Sequence, residues 1–261
     1  MSAAAAGAAA PPQLFLTLDP PLWHDAESLE NTYSAAAELA ANLDFVHPSL
    51  PTSDGRFTVP LGEGRLSCTR WVPGAAPERF GPEAAEAVRR LHSTPPPGGL
   101  RVWRSQVDAG LVDELQERTA APWTQGPLGE RARGIVREAL GPLEDALRAH
   151  QELHRRLDPD QYVTTHGEPG VHNQWRADDG RLLLLDWETL ALAPRERDLL
   201  GGTHEWVEGD PDLLRFFQLE WSLSEVEGYA RWLGGPHAED ADTTTALAGL
   251  REETEAASRP G

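Results

Sequence analysis

Residues 161–198, QYVTTHGEPGVHNQWRADDGRLLLLDWETLALAPRERD, place polar side chains of the kind used in catalysis beside short β-rich or apolar segments. These segments are 162–165 and 181–185, and Asp178-Asp179-Gly180 between them is a turn signal. The pattern predicts a loop followed by a hairpin, with Asp186 at the end of a buried strand.

The loop 166–173 and the strand end that follows it can bring Glu168, Asn173 and Asp186 around one reacting centre. Two carboxylates and an amide oxygen suit phosphoryl transfer with Mg²⁺, because this hard cation prefers oxygen ligands beside substrate phosphates. An attacking hydroxyl also needs a carboxylate that orients it and accepts its proton. The stretch therefore predicts a magnesium-dependent phosphotransferase.

The motif HGEPGVHN followed by LLLLDWETLALAPRERDL resembles the catalytic loop and metal-binding strand of the aminoglycoside phosphotransferase family. The family usually has His-Gly-Asp at the start of this motif, and Glu168 stands here in place of the Asp. By resemblance, Glu168 is the catalytic base, and Asn173 and Asp186 are the Mg²⁺ ligands. The resemblance also implies ATP or GTP as phosphate donor. It implies structural support of the loop by three further residues: His166, Arg197 and Asp198.

The resemblance further implies an α/β (α+β) fold of the two-lobed protein-kinase type, with a small antiparallel-sheet N-lobe and a mainly helical C-lobe. The expected parts are a low-complexity leader at 1–13, the N-lobe and hinge at 14–74, and the C-lobe at 75–261, with catalytic loop 166–173 and metal strand 181–188. At the hinge, the backbone of Trp71 and Val72 would bind adenine, as it does in related kinases.

Hydrophobic periodicity and turn signals predict the secondary structure. The predicted strands outside the motif are 14–18, 45–50, 57–61 and 66–72. The predicted helices are 25–43, 83–92, 108–119, 129–157 with a kink near Gly141-Pro142, 212–219 and 224–233. Several aromatic residues in the last part of the chain either pack helices together or form a wall of the substrate site: Trp206, Phe216, Phe217, Trp221, Tyr229 and Trp232.

The first predicted strand departs from the family pattern. No glycine-rich loop precedes Leu14, and Thr17 stands where a phosphate-contacting Lys is often found. Because these groups orient the β- and γ-phosphates in kinases, the N-lobe is expected to lack its first strands and to bind nucleotide weakly. An Arg could replace the Lys, since all 23 basic residues of the chain are Arg. Alternatively, a protein partner could complete the lobe.

The amino-acid composition limits which partners and which cellular compartment are expected for the chain. The formal net charge of −19 argues against a nucleic-acid partner, since phosphate binding needs a basic surface. The same charge fits a cationic substrate, or it serves only solubility. Cys68 is the single cysteine, which excludes an internal disulfide framework and indicates a reducing cytoplasm. No apolar segment approaches the length of a membrane span, so no membrane partner is expected.

These observations predict an ATP- and Mg²⁺-dependent O-phosphotransferase. Its acceptor would be a hydroxyl of a small, cationic molecule such as an aminoglycoside-like antibiotic. Two alternatives stay open at this point. One is a Ser/Thr kinase of a precursor peptide in a natural-product biosynthetic complex. The other is a pseudokinase that binds a ligand or partner without turnover, which the missing loop and the missing Lys favour.

Overall fold

The computed structural model describes residues 13–19 and 26–259. The predicted leader, residues 1–13, lies outside the described residues except for Gln13. The assignment of 14–74 and 75–261 to the two lobes of a kinase stays a prediction.

The described residues form two compact units. The first contains the residues up to Val102 together with Val163–Val207, and the second contains Trp103–Tyr162 together with the residues from Glu208 onward. The first unit combines short antiparallel strands with two α-helices, whereas the second is built from four α-helices. All of the polar residues singled out in the 161–198 motif, from His166 to Asp198, belong to the first unit.

The first unit begins with a three-stranded antiparallel sheet. Its strands are β1 (Leu14–Asp19), β2 (Val59–Leu61) and β3 (Gly64–Arg70), in the spatial order β1-β3-β2. Gly62, with φ +60°, makes the turn between β2 and β3, a conformation that glycine adopts without a steric penalty. The helix α1 (Ala26–Ala40) lies between β1 and β2 in the chain. These elements agree with the predicted strands at 14–18, 57–61 and 66–72 to within a few residues.

The predicted strand at 45–50 is wrong. This segment forms a single parallel bridge, between Val46 and Leu184, and Leu184 N donates a 2.7 Å hydrogen bond to Phe45 O. Both Phe45 and Val46 are buried, which explains the apolar pattern that suggested a strand. Pro48 and Pro51 follow closely, and proline has no N–H with which to continue a ladder.

The remaining strands of the first unit surround the motif. They are β4 (Gly74–Ala75), β5 (Val163–Thr165), β6 (Gln174–Ala177), β7 (Leu182–Leu184) and β8 (Ala191–Ala193). The predicted turn at 178–180 connects β6 to β7, and β4 pairs with the other side of β6. β5 pairs with β8 in a separate two-stranded sheet. The helix α2 (Pro82–His92) precedes them in the chain.

A hydrophobic core joins the helices of the first unit to β7 and the segment after it. Ala36 and Leu39 of α1, Leu91 of α2, Leu184 of β7 and Trp187 all belong to one buried cluster. The buried residues of α1 recur at intervals of three and four, so one face of this helix is apolar. The core therefore anchors the residues on both sides of Asp186.

The second unit consists of α3 (Leu111–Ala120), α4 (Gly129–His154), α5 (Pro211–Gly234) and α6 (Ala241–Ala257). The prediction of two helices at 212–219 and 224–233 is wrong, because α5 is one continuous helix. Leu219, just before the expected break at 220–223, and Leu223, within it, are both fully buried in the core of this unit. Ser222, between the two predicted helices, donates a 2.7 Å hydrogen bond to Glu253 of α6.

The aromatic residues of the second unit fall into two groups. Phe216 and Phe217 are buried and contact the Trp103 ring at centroid distances of 6.0 and 5.2 Å, so they pack the unit together. Trp221 and Trp232 are exposed, and packing does not explain their positions. Among the described residues, no helix is long and apolar enough to cross a membrane.

Leu223→Ala tests the packing of the continuous helix α5. We expect Leu223→Ala to lower the free energy of unfolding by about 2–5 kcal/mol, since it leaves a cavity in the core. Gln218→Ala, at an exposed position of the same helix, is the control and should change this free energy by less than about 0.5 kcal/mol. Urea denaturation followed by circular dichroism measures both. A loss as small as that of the control would show that α5 does not pack as described.

Candidate active site

The hairpin of β6 and β7 brings Asn173 next to Asp186. Gln174 pairs with Leu184 across the hairpin, and beyond this pair Leu185 N donates a 2.9 Å hydrogen bond to Asn173 O. Asn173 and Asp186 therefore lie side by side at the open end of the hairpin. Asn173 is buried and Asp186 is exposed. The two residues that the resemblance implies as Mg²⁺ ligands thus lie next to each other in the structure.

Asp186 has a left-handed backbone conformation, with φ +64°. Among the described residues it is the one non-glycine residue with positive φ. This conformation costs a non-glycine residue about 1–2 kcal/mol, and such strain concentrates at functional sites. Trp187 holds the strained segment, because its ring is buried and its Nε1 donates a 2.8 Å hydrogen bond to Leu184 O.

The loop that carries Glu168 is held by the buried ring of His166. Its Nε2 donates to Leu185 O at 2.8 Å, and its Nδ1 accepts from Glu168 N at 3.3 Å. The ring also packs on Trp187, with the two centroids 4.4 Å apart. Burial lowers the pKa of His166, and the neutral ring fits one donating and one accepting nitrogen.

A second anchor of the loop is the fully buried carboxylate of Asp198. It accepts hydrogen bonds from His166 N at 2.9 Å, from Gly167 N at 2.6 Å and from His92 Nε2 at 2.9 Å. Burial alone would raise the pKa of Asp198, but His92 and the nearby charges outweigh it, so this pKa is lowered. His92 lies at the end of α2, and its bond to Asp198 could be seen only in the tertiary structure.

Arg197 and Thr189 hold the backbone around the same loop. Arg197 Nη1 donates to Thr165 Oγ1 at 3.1 Å, and Thr189 Oγ1 donates to His166 O at 2.7 Å. Gly167 lies between them with φ +106°. A Cβ atom at this position would overlap Arg197 Nη2 and lie 2.5 Å from Thr189 Oγ1. The loop therefore requires glycine at 167 for both its conformation and its close contacts.

Glu168 directs its backbone and its side chain to different partners. Its carbonyl accepts a 2.9 Å hydrogen bond from Asn173 Nδ2, so the amide oxygen of Asn173 remains available for another partner. Its carboxylate is 36% exposed, and Oε2 lies 3.6 Å from Nε2 of the exposed His172. A molecule arriving from solvent can therefore reach the Glu168 carboxylate.

Glu188 was not identified from the sequence, although it completes the Asp-Trp-Glu tripeptide. Burial, followed by a hydrogen bond with Asp186, raises the pKa of the Glu188 carboxyl group. Its Oε2 atom is buried and has no hydrogen-bond partner among the described residues. The backbone carbonyl of Glu188 accepts a 3.2 Å hydrogen bond from Arg101 Nη2. The signal available in the sequence was that Glu188 follows Asp186 by two residues. Alternate side chains of an extended segment share one face, so the two carboxyl groups could be expected on the same side.

Asp19 and Tyr33 also contribute to this site, and no local signal in the sequence marked them. Asp19 ends β1 and is buried, and Tyr33 of α1 donates to its Oδ2 at 3.4 Å. Burial and the charge of Asp186 raise the pKa of Asp19. Burial and the charge of Asp19 raise the pKa of the Tyr33 hydroxyl. The acidic groups of β1 and of the Asp186 segment therefore lie close enough for one to raise the pKa of another.

The donor set around Asp186 fits Mg²⁺. It offers the carboxylate of Asp186, the amide oxygen of Asn173 and the unpaired Oε2 of Glu188. The described residues contain no group of three or more His, Cys, Asp or Glu side chains placed to hold a metal ion. Mg²⁺ usually takes one or two carboxylates from the protein and the rest of its ligands from water and phosphates. Fewer than three such side chains are therefore enough to hold it.

The predicted hinge residues pack against Trp175. Val72 O accepts a 3.0 Å hydrogen bond from Trp175 Nε1, and the rings of Trp71 and Trp175 meet edge to face with centroids 6.3 Å apart. Trp71 N donates to Gln13 O at 2.9 Å. These contacts fix the backbone of the segment, and the role of Trp71 and Val72 in binding adenine stays a prediction.

Asp198→Asn tests the anchor of the loop. Because the substitution removes a buried charge that three donors surround, we expect a loss of about 3–5 kcal/mol in the free energy of unfolding at neutral pH. The folded-state pKa of Asp198 is lowered from 3.8, so its contribution is present above about pH 4 and is lost as the pH falls further. Urea denaturation across this range should show the two proteins converging at low pH. Asp44→Asn, at an exposed ion pair with Arg90, is the control and should change little.

Gly167→Ala tests the space around the loop, with Gly180→Ala as the matched control. Both glycines have positive φ, +106° and +89°, but a Cβ at Gly180 would meet nothing within 4 Å. Gly180→Ala should therefore show the conformational penalty alone, about 1–2 kcal/mol of unfolding free energy. Gly167→Ala should lose more, because Arg197 and Thr189 must also move. Equal losses for the two variants would contradict the contacts described around Gly167.

Comparison with known proteins places these observations in a family. Residues 5–239, nearly the whole chain, match the phosphotransferase enzyme family. Protein StrN of Streptomyces griseus is 32% identical over 118 residues, which cover 43% of this chain and 35% of StrN. The matched stretch thus spans about a third of that relative's length.

Several solved structures share the fold. A spectinomycin phosphotransferase in complex with ADP and spectinomycin has a TM-score of 0.72 at 14% identity, covering 94% of this chain and 84% of its own. An ethanolamine kinase of Plasmodium vivax has a TM-score of 0.55 at 14% identity, covering 93% and 75%. An amicoumacin kinase bound to AMP-PNP and Ca²⁺ has a TM-score of 0.53 at 13% identity, covering 93% and 80%. The predicted kinase-like fold is confirmed, and the chain belongs to the phosphotransferase enzyme family.

Proposed function

We propose that the chain is an ATP- and Mg²⁺-dependent O-phosphotransferase acting on a hydroxyl group of a small cationic molecule, such as an aminoglycoside-like antibiotic. One observation carries this proposal: Glu168, Asn173 and Asp186 converge at the open end of a hairpin. The hydrogen bonds from Asn173 Nδ2 to Glu168 O and from Leu185 N to Asn173 O join the three residues. Membership of a phosphotransferase family supports the reaction class.

Glu168 has the role of catalytic base. Its carboxylate is reachable from solvent, whereas its backbone is held by His166 Nδ1 and by Asn173 Nδ2. A fixed backbone with an accessible carboxylate can orient an acceptor hydroxyl and accept its proton while the oxygen attacks the γ-phosphorus. The anchors at His166 and Asp198 keep this position constant, which matters because misplacement of a reacting group lowers the rate.

Asn173 and Asp186 would hold Mg²⁺, with Glu188 beside them. When bound, Mg²⁺ supplies positive charge next to the phosphate oxygens of the nucleotide. Asn173 keeps its amide oxygen free because its Nδ2 already donates to Glu168 O. Asp186 is held in a strained conformation by the packing of Trp187, so its carboxylate is positioned before the cation arrives. ATP as donor is supported by the ADP and AMP-PNP bound to similar enzymes.

A cationic acceptor is supported by charge. The net charge of −19 and the nearby acids Asp19 and Asp186 attract cations and repel anions that carry no metal. Ethanolamine, named for one similar kinase, carries an amine and a hydroxyl, which is the combination the proposal requires. Spectinomycin, named for another, supports an antibiotic as acceptor. A reducing cytoplasm is the compartment we propose, because Cys68 is the single thiol of the chain.

One observation favours the second candidate, a pseudokinase that binds a ligand without turnover. Thr17 lies on the same face of the first sheet as Asp19, and neither residue supplies the positive charge that kinases place here. Arg65 is opposite Asp19 in the register, but its guanidinium donates to Thr58 Oγ1 at 2.7 Å. If the chain is a pseudokinase, the acidic site would bind a cation or an amine without transferring a phosphate.

Two substitutions that keep side-chain shape separate the roles of the carboxylates. Glu168→Gln should leave Mg²⁺-dependent binding of ATP intact and lower the transfer rate by about 10²- to 10⁴-fold, the usual share of general acid–base catalysis. Asp186→Asn should abolish both the Mg²⁺-dependent part of ATP binding and the transfer, because the cation loses its charged ligand. Thermal-shift titration with ATP, with and without Mg²⁺, measures binding, and phosphate transfer to spectinomycin or ethanolamine measures the rate.

Asp178→Asn is the matched control, since Asp178 is exposed at the opposite end of the same hairpin. It should leave binding and rate unchanged. If Asp186→Asn kept the Mg²⁺-dependent stabilisation by ATP, the metal assignment would be wrong. If the unaltered chain bound ATP and transferred no phosphate to any acceptor, the chain would be a pseudokinase and the proposed enzymatic function would be wrong.

A further inference from the structure

Arg101 binds the turn that follows Asp186. The turn spans residues 187–190 and is closed by a 3.1 Å hydrogen bond from the backbone N–H of its last residue to the carbonyl of its first. The Arg101 guanidinium donates from Nη2 to Glu188 O at 3.2 Å and from Nε to Leu190 O at 3.3 Å. Because Nε and Nη2 lie on one edge of a planar group, the two bonds fix the orientation of the turn.

Arg101 is itself held by other elements of the first unit. Its Nη1 donates to Ser28 Oγ of α1 at 3.4 Å. Its carbonyl accepts a 2.8 Å hydrogen bond from Leu192 N of β8, and the adjacent Val102 forms a parallel bridge with Leu192. On the other side, Leu100 packs against the buried cluster that contains Leu184 and Trp187. The guanidinium therefore acts on the turn from a fixed position.

The turn comes directly after a strained residue. Asp186 has φ +64°, a conformation that a non-glycine residue keeps only when the surrounding contacts impose it. The buried ring of Trp187 supplies one such contact, at the first position of the turn. The bonds from Arg101 supply two more, at the second and the last positions. Without these bonds the turn is free to shift and the Asp186 backbone is free to relax, which would move the Asp186 carboxylate.

We propose that Arg101 is a positioning residue: it fixes the turn 187–190 and thereby keeps the carboxylate of Asp186 in place for Mg²⁺. The part that concerns Mg²⁺ rests on the proposed function, whereas the effect on the turn does not. All three nitrogens of the guanidinium donate within the chain, so we assign Arg101 no direct contact with a phosphate. Substituting a residue that orients a metal ligand typically weakens metal binding by about 10- to 100-fold.

Arg101→Lys tests the effect on the turn. The substitution keeps the charge and removes the planar edge, since a lysine ammonium does not offer two donors in a fixed fork. We expect faster amide hydrogen exchange in residues 187–192 of the chain without nucleotide, measured by mass spectrometry, because the turn opens more often. Arg104→Lys is the matched control, because Arg104 is exposed and lies further along the same segment. It should exchange at the rate of the unaltered chain.

The same two variants test the effect on Mg²⁺. Thermal-shift titration with ATP gives the Mg²⁺ concentration at which stabilisation is half-maximal. Arg101→Lys should raise this concentration by about 10- to 100-fold and leave the stabilisation by ATP without Mg²⁺ unchanged. Arg104→Lys should change neither. A residue that served only to stabilise the fold would lower the melting temperature of the free chain and leave the Mg²⁺ requirement as it was.

Two further variants separate the paths by which the turn could act. Thr189, at the third position of the turn, donates to His166 O in the loop that carries Glu168. Thr189→Val removes this bond, keeps the bonds of Arg101 and should leave the Mg²⁺ requirement unchanged. Ser28→Ala removes the partner of Arg101 Nη1 alone. It is a milder variant than Arg101→Lys, and it should change hydrogen exchange and the Mg²⁺ requirement in the same direction by less.

Four results would overturn the proposal. One is unchanged hydrogen exchange at 187–192 in Arg101→Lys. Another is an unchanged Mg²⁺ requirement in Arg101→Lys when the unaltered chain has one. The third is an equal rise of this requirement in Thr189→Val, which would assign the effect to the loop. The fourth is weaker binding of ATP by Arg101→Lys without Mg²⁺, which would mean that the guanidinium contacts the nucleotide.

The hydrogen-exchange measurement also separates this inference from the proposed function. An unaltered chain that showed no Mg²⁺-dependent stabilisation by ATP would contradict the proposed function. Hydrogen exchange at 187–192 would then decide by itself whether Arg101 fixes the turn, because it is measured without nucleotide or metal.

Discussion

The buried carboxylate of Asp198 joins three segments that are far apart in the chain. It accepts hydrogen bonds from the backbone of His166 and Gly167 in the loop and from the ring of His92 at the end of α2. A buried carboxylate is stable only when its oxygens are paired, so the three donors and the acceptor require one another. The position of Glu168, one residue beyond Gly167, follows from this arrangement.

Several acidic groups lie close together at the site. Asp19, Asp186 and Glu188 influence one another, and the pKa values of Asp19 and Glu188 are both raised by burial and by Asp186. The Asp186 backbone is strained as well. Such an arrangement opposes stability in the chain alone, and perturbed acids in one place are typical of functional sites. Under the proposed function, Mg²⁺ would relieve this repulsion.

The exposed leucines of β1 and the buried Asp19 at its end have a common cause. Side chains of a strand alternate between two faces, so β1 cannot direct Asp19 toward Tyr33 without directing Leu14, Leu16 and Leu18 the other way. The direction of Asp19 toward the site thus leaves the leucines of β1 exposed.

The sequence by itself determined the family and the local geometry of the motif. Glu168, Asn173 and Asp186 could be predicted because a turn at 178–180 and a short hairpin bring them together through nearby residues. The bonds of His92, Asp19, Tyr33 and Glu188 at the site could not be read in this way, since they depend on burial and on contacts between distant segments. For the same reason, only the tertiary structure decided that 45–50 is not a strand and that α5 is continuous. Local propensity is weak compared with packing, and packing is decided by the whole fold.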